Sequence, residues 1–502
     1  MAEFKLFING EFVDAASGET FATHNPGTGE KLADVPKAGR EDAVLAIEAA
    51  RRAFDEGPWP KMSGKERAEK IRRIVELIGA HAAELAELEA LDGGGTILKA
   101  QMADVPGAQS AFEWFARMAE ERPEREDLEG SPFPASQNYL RYEPIGVCTG
   151  IIPWNFPLIM AAWKIAPAIA AGNTSVLKPA SLTSLSALKL AEVIAEADLP
   201  PGVVNVLAGP GGSVGEELAS NPMVDKTAFT GSTEVGRRIM QLASGTVKAV
   251  TLELGGKSAN IVLDDADLDL AAGGVLFGTF FHNGQVCESG TRALVQRGIY
   301  DDFLALLVEK ANSIVIGDQM DMATNLGPLV SRGQVETVER YVKLGRDEVG
   351  EPVCGGSKPD DLPEHLDREA FYRPTIFAGV DNKAKIAQEE IFGPVLCVIP
   401  FDTDAEAVAI ANDSIYGLGG GVQSSNLERA EKVAAGIRTG TVWINDYHLI
   451  DPKRPFGGYK QSGIGRELGV QGYEIYRQIK HVHINPETTG RDNHFHYGVL
   501  GV

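Results

Sequence analysis

Three residues have the side chains that a nucleophilic site needs. Cys287 lies in the polar loop "GQVCESGTR", directly after the apolar "GTFFHN". A cysteine that only fills space sits among aliphatic neighbours, whereas one set among Gly, Gln, Glu and Ser is open to reagents. A thiolate nucleophile needs a base, and donors for the oxyanion it creates. Glu253 ends the strand-like "TLEL" just before Gly255-Gly256, and paired glycines mark a close crossing of chains. Asn155, in the turn of "IIPWNFPL", offers an amide donor. Each residue also has an ordinary use: a small inert thiol, a solvated strand-end carboxylate, a helix cap. The elements around them decide between the two.

From about residue 147 apolar runs alternate as strand and helix. "VCTGIIPW", "TSVLKP", "VVNVLAG", "KTAFTG" and "KAVTLEL" read as strands. "LIMAAWKIAPAIAAG", "SLSALKLAEVIAEA", "GGSVGEELAS" and "STEVGRRIMQLA" read as helices between them. This alternation predicts an α/β fold with a doubly wound parallel sheet, which binds ligands at the carboxyl ends of its strands. A second α/β block runs from about 258 to 456, with strands "TRALVQ", "VLCVIPF" and "TVWIN". Upstream, "KLFINGEFVDAASGETF" reads as a hairpin turning at Asn9-Gly10. Ser63 to Glu66 forms a capping box, followed by Ile71, Ile74, Val75, Ile78, Leu85 and Leu88 at helical spacing.

Further candidates lie at predicted strand ends. Lys178, with Ser181 three residues on, suits a ribose or phosphate, or simply solvent. "FTGSTEVG" places Gly231 and Gly236 at a helix start, where backbone N–H groups can face a phosphate. It lacks the GxGxxG spacing, so a plain strand–turn–helix is an equal reading. "QEEIFGPV" sets Glu390 and Phe392 in a turn, and "PFGGYKQSG" repeats the aromatic-plus-glycine theme at Phe456.

The balance of 47 basic and 70 acidic residues, net −23, repels nucleic acid and anionic membranes. The start, "MAEFKLF", has no secretory pattern, and the longest apolar stretch is broken by Lys164 and Pro167. The four cysteines, Cys148, Cys287, Cys354 and Cys397, are far apart. No metal-ligand spacing is present, and free thiols fit a reducing cytoplasm.

"PWNFPL", "LKPAS", "FTGSTEVG", "LELGGK", "GQVCESGTR", "EEIFGPV" and "PFGGYKQSG" occur in the order and spacing of the NAD(P)-dependent aldehyde dehydrogenases. The chain resembles that family from about residue 5 to about residue 485. The resemblance implies a Rossmann-like doubly wound coenzyme domain (1–124 and 147–254) and an α/β catalytic domain (255–456). It also implies a small β oligomerisation flap (125–146 and 468–487) and a C-terminal tail (488–502), in a homodimer or homotetramer.

Cys287 looks like the nucleophile, Glu253 the general base and Asn155 the side-chain oxyanion donor, joined by the Cys287 N–H. Coenzyme contacts are implied at Ile152, Pro153, Trp154, Lys178, Ser181, Gly211, Phe229, Gly231, Ser232, Leu254, Glu390 and Phe392. The implied substrate tunnel comprises Phe156, Met160, Trp163, Val286, Glu288, Ile450 and Phe456. The implied reaction oxidises an aldehyde to an acid with NAD or NADP, through a thiohemiacetal and a thioester that water hydrolyses. The polar loop then has a purpose, since it keeps Cys287 accessible and its N–H free.

The chain departs from the family's usual pattern in the glycine-rich "LDGGGT", in Ser181 where a glutamate is common, and in the length of its tail. A CoA-acylating enzyme commonly lacks the glutamate at the Glu253 position. A non-redox cysteine hydrolase needs no dinucleotide platform, and an inactive structural relative need not keep Cys287, Glu253 and Asn155. Apolar tunnel walls predict medium-chain aliphatic or aromatic aldehydes. Glu288 and Trp163 instead suit a cationic aldehyde. The apolar Phe495, Tyr497, Val499 and Leu500 predict a tail that docks on protein.

Overall fold

A computed structural model of the chain describes residues 4–130 and 136–486. The docking expected of the C-terminal tail lies outside the described residues.

Leu6–Ile8 and Glu11–Val13 pair antiparallel around Asn9-Gly10, whose φ angles of 54° and 82° make the two-residue turn that strand twist favours. The hairpin edges an eight-stranded sheet. Its centre is five parallel strands in the spatial order Ala249–Glu253, Lys226–Thr230, Val147–Ile151, Thr174–Lys178 and Val204–Val206. The chain starts at Val147–Ile151, moves outward to Val204–Val206, then returns to the other side at Lys226–Thr230. The sheet's ligand crevice is expected at this reversal, because helices leave it on opposite faces. The three strands nearest the reversal are buried along their whole length, as strands covered on both faces must be.

A second sheet has six parallel strands in the order Thr375–Ala378, Val395–Phe401, Arg292–Gln296, Ala259–Val262, Gly419–Gln423 and Thr441–Ile444. Residues 254–258 link the last parallel strand of the first sheet to Ala259–Val262 of the second. A third, smaller sheet joins Arg477–Ile484, Gln137–Pro144 and Arg125–Leu128, all antiparallel.

The capping box at Ser63 is formed and starts the helix Gly64–Ala80. The "LDGGGT" segment ends the helix Ala82–Gly93 at Gly94, whose φ is 74°. Among the described residues no helix is long and apolar enough to cross a membrane.

Candidate active site

The loop carrying Cys287 is built by a tight reversal. After the helix Leu268–Phe280, His282, Asn283 and Gly284 all take left-handed backbone, with φ of 51°, 57° and 68°. Two non-glycine residues there store strain that surrounding contacts must hold. Asn283 donates to the carbonyls of Gly327 and Pro328 at 3.0 and 3.2 Å. Gln285 accepts the Val330 N–H at 3.0 Å and donates to the His282 carbonyl at 3.1 Å.

Asn155 Nδ2 donates to the Gln285 carbonyl at 2.8 Å, two residues before the thiol. That bond uses one amide hydrogen and leaves the second. The Cys287 N–H has no acceptor among the described residues. Cys287 as a residue is half-buried, while Asn155 and Glu253 are buried.

Glu253 ends its strand with both carboxylate oxygens unpartnered. Burial pushes it up to about 8, against the pull of the Lys164 and Arg466 cations. Lys164 comes from the apolar helix Pro157–Ala170, where a charge must find partners. It pairs with Glu467 and donates to Thr230 Oγ1 at 2.7 Å. Burial lowers it to about 7.

On the other side of the thiol, Cys287 Sγ–H donates to Glu288 Oε2 at 3.1 Å. His448 Nδ1 lies 3.0 Å from Glu288 Oε1, and both side chains are buried. Burial raises Glu288, but the His448 and Cys287 hydrogen bonds outweigh it and hold the carboxyl below its ordinary value. Burial first, then the Glu288 charge and its hydrogen bond, push the Cys287 thiol well up.

Asn155, Glu253, Cys287, Glu288, His448 and Glu467 open into one cavity of about 530 Å³. All seven residues expected in a tunnel line it: Phe156, Met160, Trp163, Val286, Glu288, Ile450 and Phe456. Trp163 and Phe456 meet edge to face at 5.5 Å, and Phe156 stacks tilted on Phe281 at 6.4 Å. The same cavity reaches Pro153, Trp154, Gly231, Ser232, Glu390 and Phe392. Trp154 and Phe392 form a second edge-to-face pair at 5.2 Å.

Ser232 caps the helix Thr233–Ala243 by accepting the Val235 N–H at 3.3 Å. Glu390 accepts the Gly256 N–H at 3.0 Å, and burial raises it to about 7. The double glycine explains this crossing. A Cβ on Gly256 would lie 2.6 Å from the Cys287 carbonyl oxygen, so the linker and the Cys287 loop touch backbone to backbone.

The remaining candidates stand outside the cavity wall. Lys178 Nζ donates to the carbonyls of Pro179 and Gly209 at 2.5 and 3.2 Å, and Ser181 Oγ reaches the same Gly209 carbonyl at 3.1 Å. Burial lowers Lys178 to about 8. Gly211 begins the turn just after that carbonyl. Phe229 packs beneath Gly231 and Leu254 against Gly236, while the Ile152 N–H pairs with the Lys178 carbonyl.

Lys164, Glu467 and His448 were not among the residues singled out for chemistry. Lys164 carried a signal, a lysine in an otherwise apolar helix. His448 and Glu467 gave none, because the fold brings them from far along the chain.

The comparisons with known proteins agree along nearly the whole chain. The aldehyde dehydrogenase family model matches residues 12–482. The betaine aldehyde dehydrogenase of Bacillus subtilis (strain 168) is 48% identical over 480 residues, covering 96% of this chain and 97% of that protein. Among solved structures, a betaine aldehyde dehydrogenase from Staphylococcus aureus in complex with NAD+ superposes with a TM-score of 0.94 at 40% identity, covering 98% of this chain and 96% of that one. An aldehyde dehydrogenase from Bacillus cereus, also an NAD+ complex, gives 0.93 at 44% identity and 97% of each chain.

Proposed function

The chain belongs to the aldehyde dehydrogenase family, and from that premise we propose that it oxidises an aldehyde to a carboxylic acid through Cys287, with Glu253 activating the water that releases the product. One observation carries this reading. Cys287, Glu253 and the Gly231–Ser232 helix start open into the same cavity.

The residues present fit a dinucleotide. The first turn of Thr233–Ala243 is largely exposed, and Lys178 carries a buried cation bonded only to carbonyls. Gly231 and Ser232 would hold the pyrophosphate, Lys178 the adenosine ribose, and Glu390 with Trp154 and Phe392 the nicotinamide end. Bound NAD(P) supplies a hydride acceptor.

The chain's own residues do the rest. Cys287 Sγ adds to the carbonyl carbon. The free hydrogen of Asn155 and the Cys287 N–H hold the oxyanion, each such donor being worth about 2.7–4 kcal/mol in acyl transfer. Glu253, once ionised, takes a proton from water as that water attacks the thioester. The carboxylate also favours water over CoA as the acyl acceptor.

For the substrate we assign medium-chain aliphatic or aromatic aldehydes. Phe156, Phe281, Trp163, Phe456, Met160 and Ile450 make the walls apolar, and each buried CH₂ contributes about 0.8 kcal/mol. The Glu288 carboxylate is already engaged by Cys287 and His448. The second reading, a cationic aldehyde such as betaine aldehyde, draws on the named relatives and on Glu288 beside aromatic rings. Comparing kcat/KM for hexanal, benzaldehyde and betaine aldehyde separates the two.

Cys287→Ala should abolish NAD(P)H production, and Glu253→Gln should accumulate an acyl-enzyme visible by intact mass. Full turnover in either variant refutes the assignment. We assign the three-stranded sheet to subunit assembly, since Ile479 on its edge strand is 65% exposed. A monomeric mass in solution refutes that.

A further inference from the structure

Building on the reading of Cys287 as nucleophile, we propose that Glu288, held by His448, is the base that receives the Cys287 thiol proton when sulfur attacks the aldehyde. The Sγ–H bond already points at Glu288 Oε2, 3.1 Å away. His448 bonds the opposite oxygen at 3.0 Å and so fixes the carboxylate plane. Both residues line the cavity that holds the thiol.

In the step, the S–H bond breaks and its proton moves to Oε2. The sulfur lone pair forms the C–S bond, and the carbonyl π pair moves to oxygen. The proton returns to sulfur when hydrolysis of the thioester frees it, so Glu288 is unchanged over a cycle.

Six other titratable groups face this region. Glu253 and Glu390 act on the thiol by charge, Lys164 interacts with Glu253 and pairs with Glu467, which also lines the cavity, His448 lies behind Glu288, and the Tyr447 hydroxyl donates to the Glu288 carbonyl. The two carboxylates nearest the chemistry have opposite environments. Glu253 is unpartnered and largely protonated at neutral pH, whereas Glu288 has two donors and stays ionised. Such a pair divides the work, because the ionised member is ready to accept a proton. Glu253 is then reserved for the later water.

Glu288 has a second, opposite effect on the thiol, and this makes the test sharp. Its charge disfavours free thiolate. If repulsion were its whole effect, Glu288→Gln would lower the thiol pKa and speed every reaction of Cys287. As a base, its loss slows attack on aldehydes, an effect of about 10²–10⁴-fold for general bases.

The experiment uses the full-length enzyme at saturating NAD(P) and measures two rates across pH. Iodoacetamide alkylation of Cys287 reports thiolate. The pre-steady-state NAD(P)H burst with benzaldehyde reports attack and hydride loss. Glu288→Gln should alkylate at lower pH than wild type, yet show a burst slowed on the order of 100-fold near neutrality that recovers as pH rises.

Glu288→Ala provides a second arm, because added formate should restore part of its burst. His448→Gln, which keeps an N–H donor, should retain more of the burst than His448→Phe. A Glu288→Gln burst equal to or faster than wild type at all pH values, with no formate rescue, overturns the proposal. A burst surviving in Cys287→Ala instead overturns the functional reading beneath it.

Discussion

The carboxylate of Glu390 occupies the space where a side chain on Gly255 would begin: a Cβ there would lie 1.9 Å from Oε2. Gly255→Ala should therefore displace Glu390 and break its 3.0 Å bond to the Gly256 N–H. Glu390 so displaced would also lose the hydrogen bond proposed for it with the coenzyme, worth about 1.5–3 kcal/mol for a charged group, so coenzyme Kd should rise about 10- to 100-fold. Coenzyme titration followed by protein fluorescence measures this. Iodoacetamide labelling of Cys287 without coenzyme should remain close to wild type.

Glu253 must be ionised to serve as a base, and burial raises it to about 8. Where deacylation limits turnover, kcat should climb as pH rises through about 8 and then level off. The Arg466 guanidinium lowers Glu253 by its charge, so Arg466→Met should move that limb to higher pH. A profile that stays in place would mean that Arg466 does not reach this carboxylate.

The same residue links stability to pH. Folded Glu253 holds its proton up to about 8, whereas the unfolded group loses it above 4.5. The folded state thus binds more protons in this window, and stability falls with rising pH across it. Glu253→Gln has no proton to lose. Its thermal midpoint should gain on wild type between about pH 4.5 and 8, with a constant difference above. Calorimetry at several pH values tests this.

Ser181 is expected to influence coenzyme choice. The hydroxyl and Lys178 Nζ meet at the Gly209 carbonyl, which leaves a neutral surface beside a cation where the family often has a carboxylate. NADP should therefore be accepted as well as NAD. Ser181→Glu should shift the kcat/KM ratio toward NAD by repelling a 2′-phosphate. Wild type restricted to NAD, with an unchanged variant, would count against the idea.

Much of the framework was legible in the sequence because it rests on local chemistry. Asn9-Gly10 dictates its turn, Ser63 to Glu66 its cap, and alternating apolar runs the doubly wound sheet. Cys287, Glu253 and Asn155 were singled out from the segments that hold them, and the fold opens all three into one cavity. His448 was not, since its role depends on a fold contact spanning 160 residues to Glu288. Glu467 reaches Lys164 across 303 residues, and only the misplaced charge of Lys164 hinted that a carboxylate would come. The packing of Phe229 on Gly231 and of Leu254 on Gly236 is likewise a tertiary matter that strand patterns do not encode.

Glu253 closes a strand of one sheet, whereas Cys287 leads into Arg292–Gln296 of the other, and residues 254–258 carry the chain from the first sheet to the second. Neither half owns a whole site. A chain cut within that linker would yield two fragments, one bearing base and oxyanion donor, the other bearing the thiol. Each should be silent by itself, and turnover should return only as the pieces find each other. Activity would then act as a built-in gauge of reassembly, its appearance timing the moment at which Gly463–Ile464 of one piece pairs again with Ala249–Glu253 of the other.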